Sequence, residues 1–249
     1  MSDDVGVVPR TWLDGCVDGH RRLEAVLAAV LTDDVARQPS RLPGWTVGHL
    51  VTHLARNADA HRRVVEAAGR DEVVPMYPGG EDERATDIDA GAGRTAAELV
   101  TDLLAADQRL EAAWRAASHE TWTQGLGLRA AGPTTVSDFV FLRWREVEVH
   151  LADLGIRDPE ASAPDASALD TWDALPPVYL DGEWARITAS LADRLPSDLT
   201  VVLVPGDRPS RAYGRGAHIR HVHGTAGRLL AWLLDRGGDP SWPTLAPWA

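Results

Sequence analysis

The chain has 249 residues, 44% of them hydrophobic and 25% charged, the make-up of a globular protein long enough for one large unit or two modest ones. Its formal charge is −12, and every one of its 25 strongly basic residues is arginine. A field of that sign repels phosphate backbones and anionic membranes, so neither nucleic acid nor a membrane is an expected partner, and an anionic substrate needs a local arginine to reverse it.

The opening "MSDDVGVVPR" is acidic and lacks the apolar run of a signal peptide, and no stretch approaches the roughly 18 apolar residues of a membrane span. Cys16, the single cysteine, has no internal partner, so a reducing cytoplasm is the expected compartment. It lies in "WLDGCVDG", where flanking aspartates disfavour a thiolate, and it reads as a small buried residue.

Helical spacing of Leu23, Val26, Leu27, Val30 and Leu31 predicts a first helix over residues 9–31. After the break at "RQPSRLPGW", a second runs from about Thr46, a suitable N-cap, to Ala68. The stretch "VPMYPGGEDERATDIDAGAGR" is too rich in Gly, Pro and Asp to look regular, and its length marks it as a candidate functional loop. A third helix is expected over 95–117, with Leu99, Leu103 and Leu110 on one side, and a fourth over 135–154.

Beyond "GIRDPEASAPDASALD" the pattern changes, which places a domain boundary near residue 157. The remainder predicts a helix over 183–194, a buried strand at "LTVVLVPG", a polar hairpin at "RAYGRGAHIRHV", and a helix in "GTAGRLLAWLLDRG" stopped by glycines. The expected fold class is α+β. An antiparallel four-helix bundle over 1–157 precedes a smaller α+β domain over 158–249. No long apolar helix face is left over, so a monomer is the expected state.

At 100° per residue the second helix carries a core stripe of Val47, Leu50, Val51, Leu54, Ala58 and Val65. His49 falls opposite that stripe and should be solvated. His61 falls on it and reads as a hydrogen-bonded core histidine. His53 flanks it, where a side chain reaches the rim of the bundle interior. On the fourth helix, Glu146 and His150 share one ridge with Arg143 close by, whereas Glu148 lies on the other flank. An i, i+4 pair brings two side chains within about 6 Å, a separation that suits two ligands of one metal and equally suits a surface ion pair. With His53 as a third donor, the set would suit a borderline divalent cation such as zinc with coordination positions left open. Asp153, one turn beyond His150, is a candidate acceptor for its second ring nitrogen, or simply an acidic group near a helix end.

At these residues the sequence resembles the mycothiol-dependent maleylpyruvate isomerases, whose N-terminal domain belongs to the DinB-like helix-bundle superfamily. The likeness rests on "RLPGWTVGHLVTHLARNADAHRR", "MYPGGEDERATDIDAGAGR", "RWREVEVHLADL" and "GTAGRLLAWLLDRG", and it runs from about residue 10 to the end. It implies a divalent metal site of His53, Glu146 and His150, with His49 a bystander. It also implies a C-terminal arginine working in the pocket. Arg236 is the best match, although Asp235 stands where the family usually has glycine, and Arg220 and Arg228 are near.

The chemistry implied by the resemblance is the mycothiol-dependent conversion of maleylpyruvate to fumarylpyruvate. An external low-molecular-weight thiol fits a chain with no reactive cysteine of its own. Arg84 and Arg143 are further candidates for clamping the substrate carboxylates, and Tyr77 and Asp89 are candidate pocket-lining residues. Two alternatives stand beside this reading. One is a DinB-type transfer of mycothiol to another electrophile, and the other is a non-catalytic metal-binding module.

Overall fold

The computed structural model describes residues 8–155 and 172–247, which fall into two compact units. The domain boundary expected near residue 157 lies outside the described residues. No helix among the described residues is long and apolar enough to cross a membrane.

The N-terminal unit is built on four long helices: α1 (Arg10–Val30), α3 (Val47–Ala68), α5 (Ala96–Ala116) and α7 (Val136–Asp153). All four start and end within a residue or two of the spans predicted from periodicity. Three of their starts are chemically specified. The Thr46, Thr95 and Thr135 side chains each accept a hydrogen bond from the backbone N–H three residues on, satisfying donors the helix itself leaves unpaired. α1 packs on α5 and α7, and α3 packs on the same two, so each of the four touches two others. Leu23 and Leu27 of α1, Leu50 and Leu54 of α3, Leu103 and Leu110 of α5, and Val140, Trp144 and Val147 of α7 fill the interior. Burying each such side chain contributes about 1.5–3 kcal/mol.

Shorter elements complete this unit: α2 (Asp33–Ala36), α4 (Gly80–Ala92), α6 (His119–Gln124) and a hairpin of β1 (Leu126–Arg129) with β2 (Gly132–Thr135). α4 corrects the sequence reading, which expected an irregular loop there. It buries only Ile88, Gly91 and Ala92, so its face is too narrow to produce an apolar period. It is supported instead by Glu81, Asp82 and Glu83 in its first turn, which suit the positive end of the helix dipole. It also lies very close to α3: a Cβ on Gly91 would sit 2.4 Å from Thr52 Cγ2. The glycine that looked like a helix breaker is what lets α4 seat.

The C-terminal unit has α8 (Pro177–Ala189), a 3-10 turn (Leu191–Arg194), β3 (Leu199–Pro205), β4 (Arg211–Gly214), β5 (His218–Gly224) and α9 (Ala226–Leu233). The predicted helix over 183–194 is thus shifted toward its N-terminus and ends in a tighter turn. The predicted hairpin is not formed. β3 is central, with β4 antiparallel on one side and β5 parallel on the other. The apolar run of β3 takes ladder partners on both edges, and the connection from β4 to β5 crosses its start. Gly216 makes that crossing, because a Cβ there would fall 1.8 Å from the Asp198 carbonyl carbon. Val201 and Leu203 of β3 and Val222 of β5 are buried, and α9 packs on both strands.

Candidate metal centre

Three donor groups from two helices converge in the N-terminal unit. His53, 3% exposed, comes from α3, and Glu146 and His150 come from consecutive turns of α7. One ligand atom from each lies within 4.8 Å of the other two. Glu146 Oε2 is 2.9 Å from His53 Nε2 and 3.3 Å from His150 Nε2, and the two imidazole rings meet edge to face at 4.9 Å. A tetrahedral cation with ligands near 2.0–2.1 Å spaces its donors about 3.3 Å apart, so these residues fit one divalent ion with little movement.

The groups behind the donors fix their orientation. His150 Nδ1 donates to Asp153 Oδ2 at 2.9 Å, and Asp153 is 1% exposed, so this acidic group is buried against its histidine and is not a surface charge. That bond leaves His150 Nε2 directed at Glu146. Arg84 of α4 places Nη2 3.3 Å from His53 Nδ1, and the Trp45 ring lies 5.4 Å from the His53 ring.

Electrostatics divide the two histidines. Burial depresses the His53 pKa to about 4, against the pull of Glu146 and with help from His150 and Arg84. Burial also disfavours a charge on His150, but hydrogen bonds to Asp153 and Glu146 outweigh it and raise the pKa. Burial likewise opposes a charge on Glu146, yet His150 and His53 hold its carboxyl well below the usual range. At neutral pH the centre therefore offers a carboxylate and a neutral His53, the forms a divalent ion requires.

Of the further sequence candidates, two lie beside this centre. Tyr77 precedes α4, with the Arg84 guanidinium 5.6 Å from its ring centroid. Burial, followed by the Glu146 charge, raises its phenol pKa, while Arg84 and Asn57 act the other way. Its segment is tied to β1 by main-chain bonds, Met76 N–H to Leu128 O at 3.2 Å and Leu128 N–H to Val74 O at 3.0 Å. Tyr77 and Arg84 also line an open cleft of about 540 Å³ with Arg56, Arg63 and Asp87. Asp89 is exposed and pairs with His49 Nε2 at 3.6 Å. Arg236 belongs to the C-terminal unit, in the turn after α9, where its Nη1 donates to Leu234 O.

Three expectations need correction. His49 is half-buried and not simply solvated: its Nδ1 accepts from Thr46 N–H at 3.2 Å and completes the cap of α3. His61 is a core residue as expected, but its Nδ1 finds no hydrogen-bond partner among the described residues, and burial lowers its pKa to about 3. Arg143 is fully buried within the helix core, so it is not available to clamp a substrate. Its neighbourhood had no sequence signal, because Arg143 flanks the same ridge as the ligands and only the fold shows which way it turns.

A family model described as the mycothiol maleylpyruvate isomerase N-terminal domain matches residues 16–155. Among solved structures, the chain is similar to the crystal structure of the mycothiol-dependent maleylpyruvate isomerase, with a TM-score of 0.83 and 24% identity, each chain covered in full. It is also similar to a histidine-to-alanine mutant of that enzyme, with a TM-score of 0.82, the same identity and the same coverage. At this identity the two structures establish likeness of fold. No curated protein matches the sequence.

Proposed function

This chain belongs to the family of the mycothiol maleylpyruvate isomerase N-terminal domain, and we propose that it is a metal-dependent isomerase that uses mycothiol to convert maleylpyruvate to fumarylpyruvate. The observation that carries this reading is the convergence of His53, Glu146 and His150 within 4.8 Å, in a chain whose own thiol is buried and disfavoured as a thiolate.

A zinc-like cation held by those three groups would supply the Lewis acidity that keeps a thiol deprotonated at neutral pH, where a free thiol is mostly protonated. A thiol held there would supply the nucleophile for reversible addition to, and elimination from, an activated double bond. The protein's own part is orientation and charge. Asp153 holds His150 in one tautomer, and burial keeps His53 neutral. Arg84 sets a guanidinium beside the centre in a protein of net charge −12, where it can donate two parallel hydrogen bonds to a carboxylate. Tyr77, kept as a neutral phenol, can donate its proton to an oxygen that gains charge. Arg236 is proposed as a second substrate arginine on the family resemblance alone.

The test is turnover by the purified full-length chain, with maleylpyruvate followed by its absorbance and the product identified by NMR. Conversion that requires both mycothiol and a divalent cation is expected. Activity confined to halogenated electrophiles would move the protein to the transferase reading, and no cation uptake at all would abandon both.

A further inference from the structure

Arg143 is the most completely buried charge among the described residues of the N-terminal unit, and none of the chemistry above uses it. It lies on α7, one turn before Glu146, and it is 0% exposed. Its guanidinium reaches each of the other three long helices. Nε donates to His20 Nε2 of α1 at 3.2 Å, and Nη2 donates to Asp107 Oδ1 of α5 at 2.6 Å. Nη1 donates twice to α3, to the Leu54 carbonyl at 2.9 Å and to Asn57 Oδ1 at 2.9 Å. Leu54 is the residue after His53, and Asn57 is one helical turn beyond it.

A buried ion pair is weak evidence of stabilisation, because well-packed apolar groups of the same volume often serve as well or better. What such a group provides uniquely is direction. Apolar side chains tolerate small rotations of one helix on another, whereas a planar guanidinium with four directed bonds does not. The rotation matters here, since one residue of slip on α3 would turn His53 by 100° away from α7.

We propose that Arg143 is a positioning residue for the metal centre. Its two bonds to α3 fix the azimuth and height of His53 relative to Glu146 and His150, and its bonds to Asp107 and His20 carry its charge. The inference rests on the metal-centre reading above.

The experiment is zinc affinity of the full-length protein, measured by competition with a chromophoric chelator and read beside the thermal midpoint of the metal-free form. Arg143→Met is expected to weaken zinc binding by roughly 10-fold or more, the range seen when groups that orient metal ligands are removed. Asp107→Asn, which strips the counter-charge but leaves both bonds to α3, is expected to lower the midpoint and change zinc affinity by less than about 3-fold. Asn57→Leu, which removes one α3 acceptor and keeps the charge paired, is expected to weaken zinc and serves if Arg143→Met fails to fold. Unchanged affinity in Arg143→Met or Asn57→Leu overturns the inference, and so does an affinity loss that merely follows the midpoint across all three variants. A wild-type protein that takes up no zinc overturns the metal reading and this inference with it.

Discussion

His150 Nδ1 donates to Asp153 Oδ2 at 2.9 Å inside the last turn of α7, and both groups are largely shielded from solvent. The pair sets which ring nitrogen is free to face Glu146. Asp153→Asn preserves size but offers a weaker acceptor, and it is expected to weaken divalent-ion binding by roughly 10–100-fold. Isothermal titration of the metal-free protein measures this, and an affinity within 2-fold of wild type would refute the role.

Acid should destabilise the metal-free protein. In the unfolded chain histidine titrates near 6.5, while in the fold burial holds His53 near 4 and His61 near 3. Between those values the unfolded chain binds more protons, so stability falls as pH drops below about 6.5. His150 acts oppositely: its raised pKa adds stability below about 6.5, lost as pH rises through its folded value. Two depressed groups outweigh one raised group, so the thermal midpoint is expected to be lower at pH 5 than at pH 7.5. His61→Phe removes a buried nitrogen that has no partner among the described residues and should narrow that gap.

Cys16 should be dispensable. Burial, above all, pushes its thiol pKa up, and it is 0% exposed. Cys16→Ala is expected to keep turnover within about 2-fold, still wholly dependent on added thiol, and a thiol reagent should fail to label the folded wild type. Loss of turnover in that variant would mean that the protein supplies its own sulfur.

Arg84→Gln should separate substrate binding from metal loading. The guanidinium contributes charge and a bidentate donor at a partly exposed site, so KM for a dicarboxylate, measured on zinc-saturated protein so that any loss of the 3.3 Å contact with His53 Nδ1 is held apart, is expected to rise roughly 10-fold. Steady-state kinetics at saturating thiol check this, and an unaltered KM would assign the arginine to its ion pair with Glu81.

The long helices and the flanks that carry His53, Glu146 and His150 were legible in the sequence because both depend on one property, the angular phase of residues around a helix; that the three serve one cation was what the family resemblance implied. His53, Glu146 and His150 could be placed on flanks by counting alone. α4 was not legible, since a helix that buries three small positions leaves no period to detect. The parallel pairing of β3 with β5 was hidden for a different reason: two polar segments separated by a glycine read as a hairpin unless the strand that intervenes between them is known. Arg143 shows the same limit. Its position beside the ligand ridge was visible, but whether it turned outward or into the core was a property of packing.

The rim segment ahead of α4 is attached to β1 through backbone groups at Val74, Met76 and Leu128, joined by a bond from Arg63 to the Met76 carbonyl. Anchorage of that kind does not depend on the identity of the residues it carries. The side chains of Met76 and Pro78 can therefore vary while the edge stays in register, so the shape of the rim around Tyr77 can be changed without moving the donors beneath it.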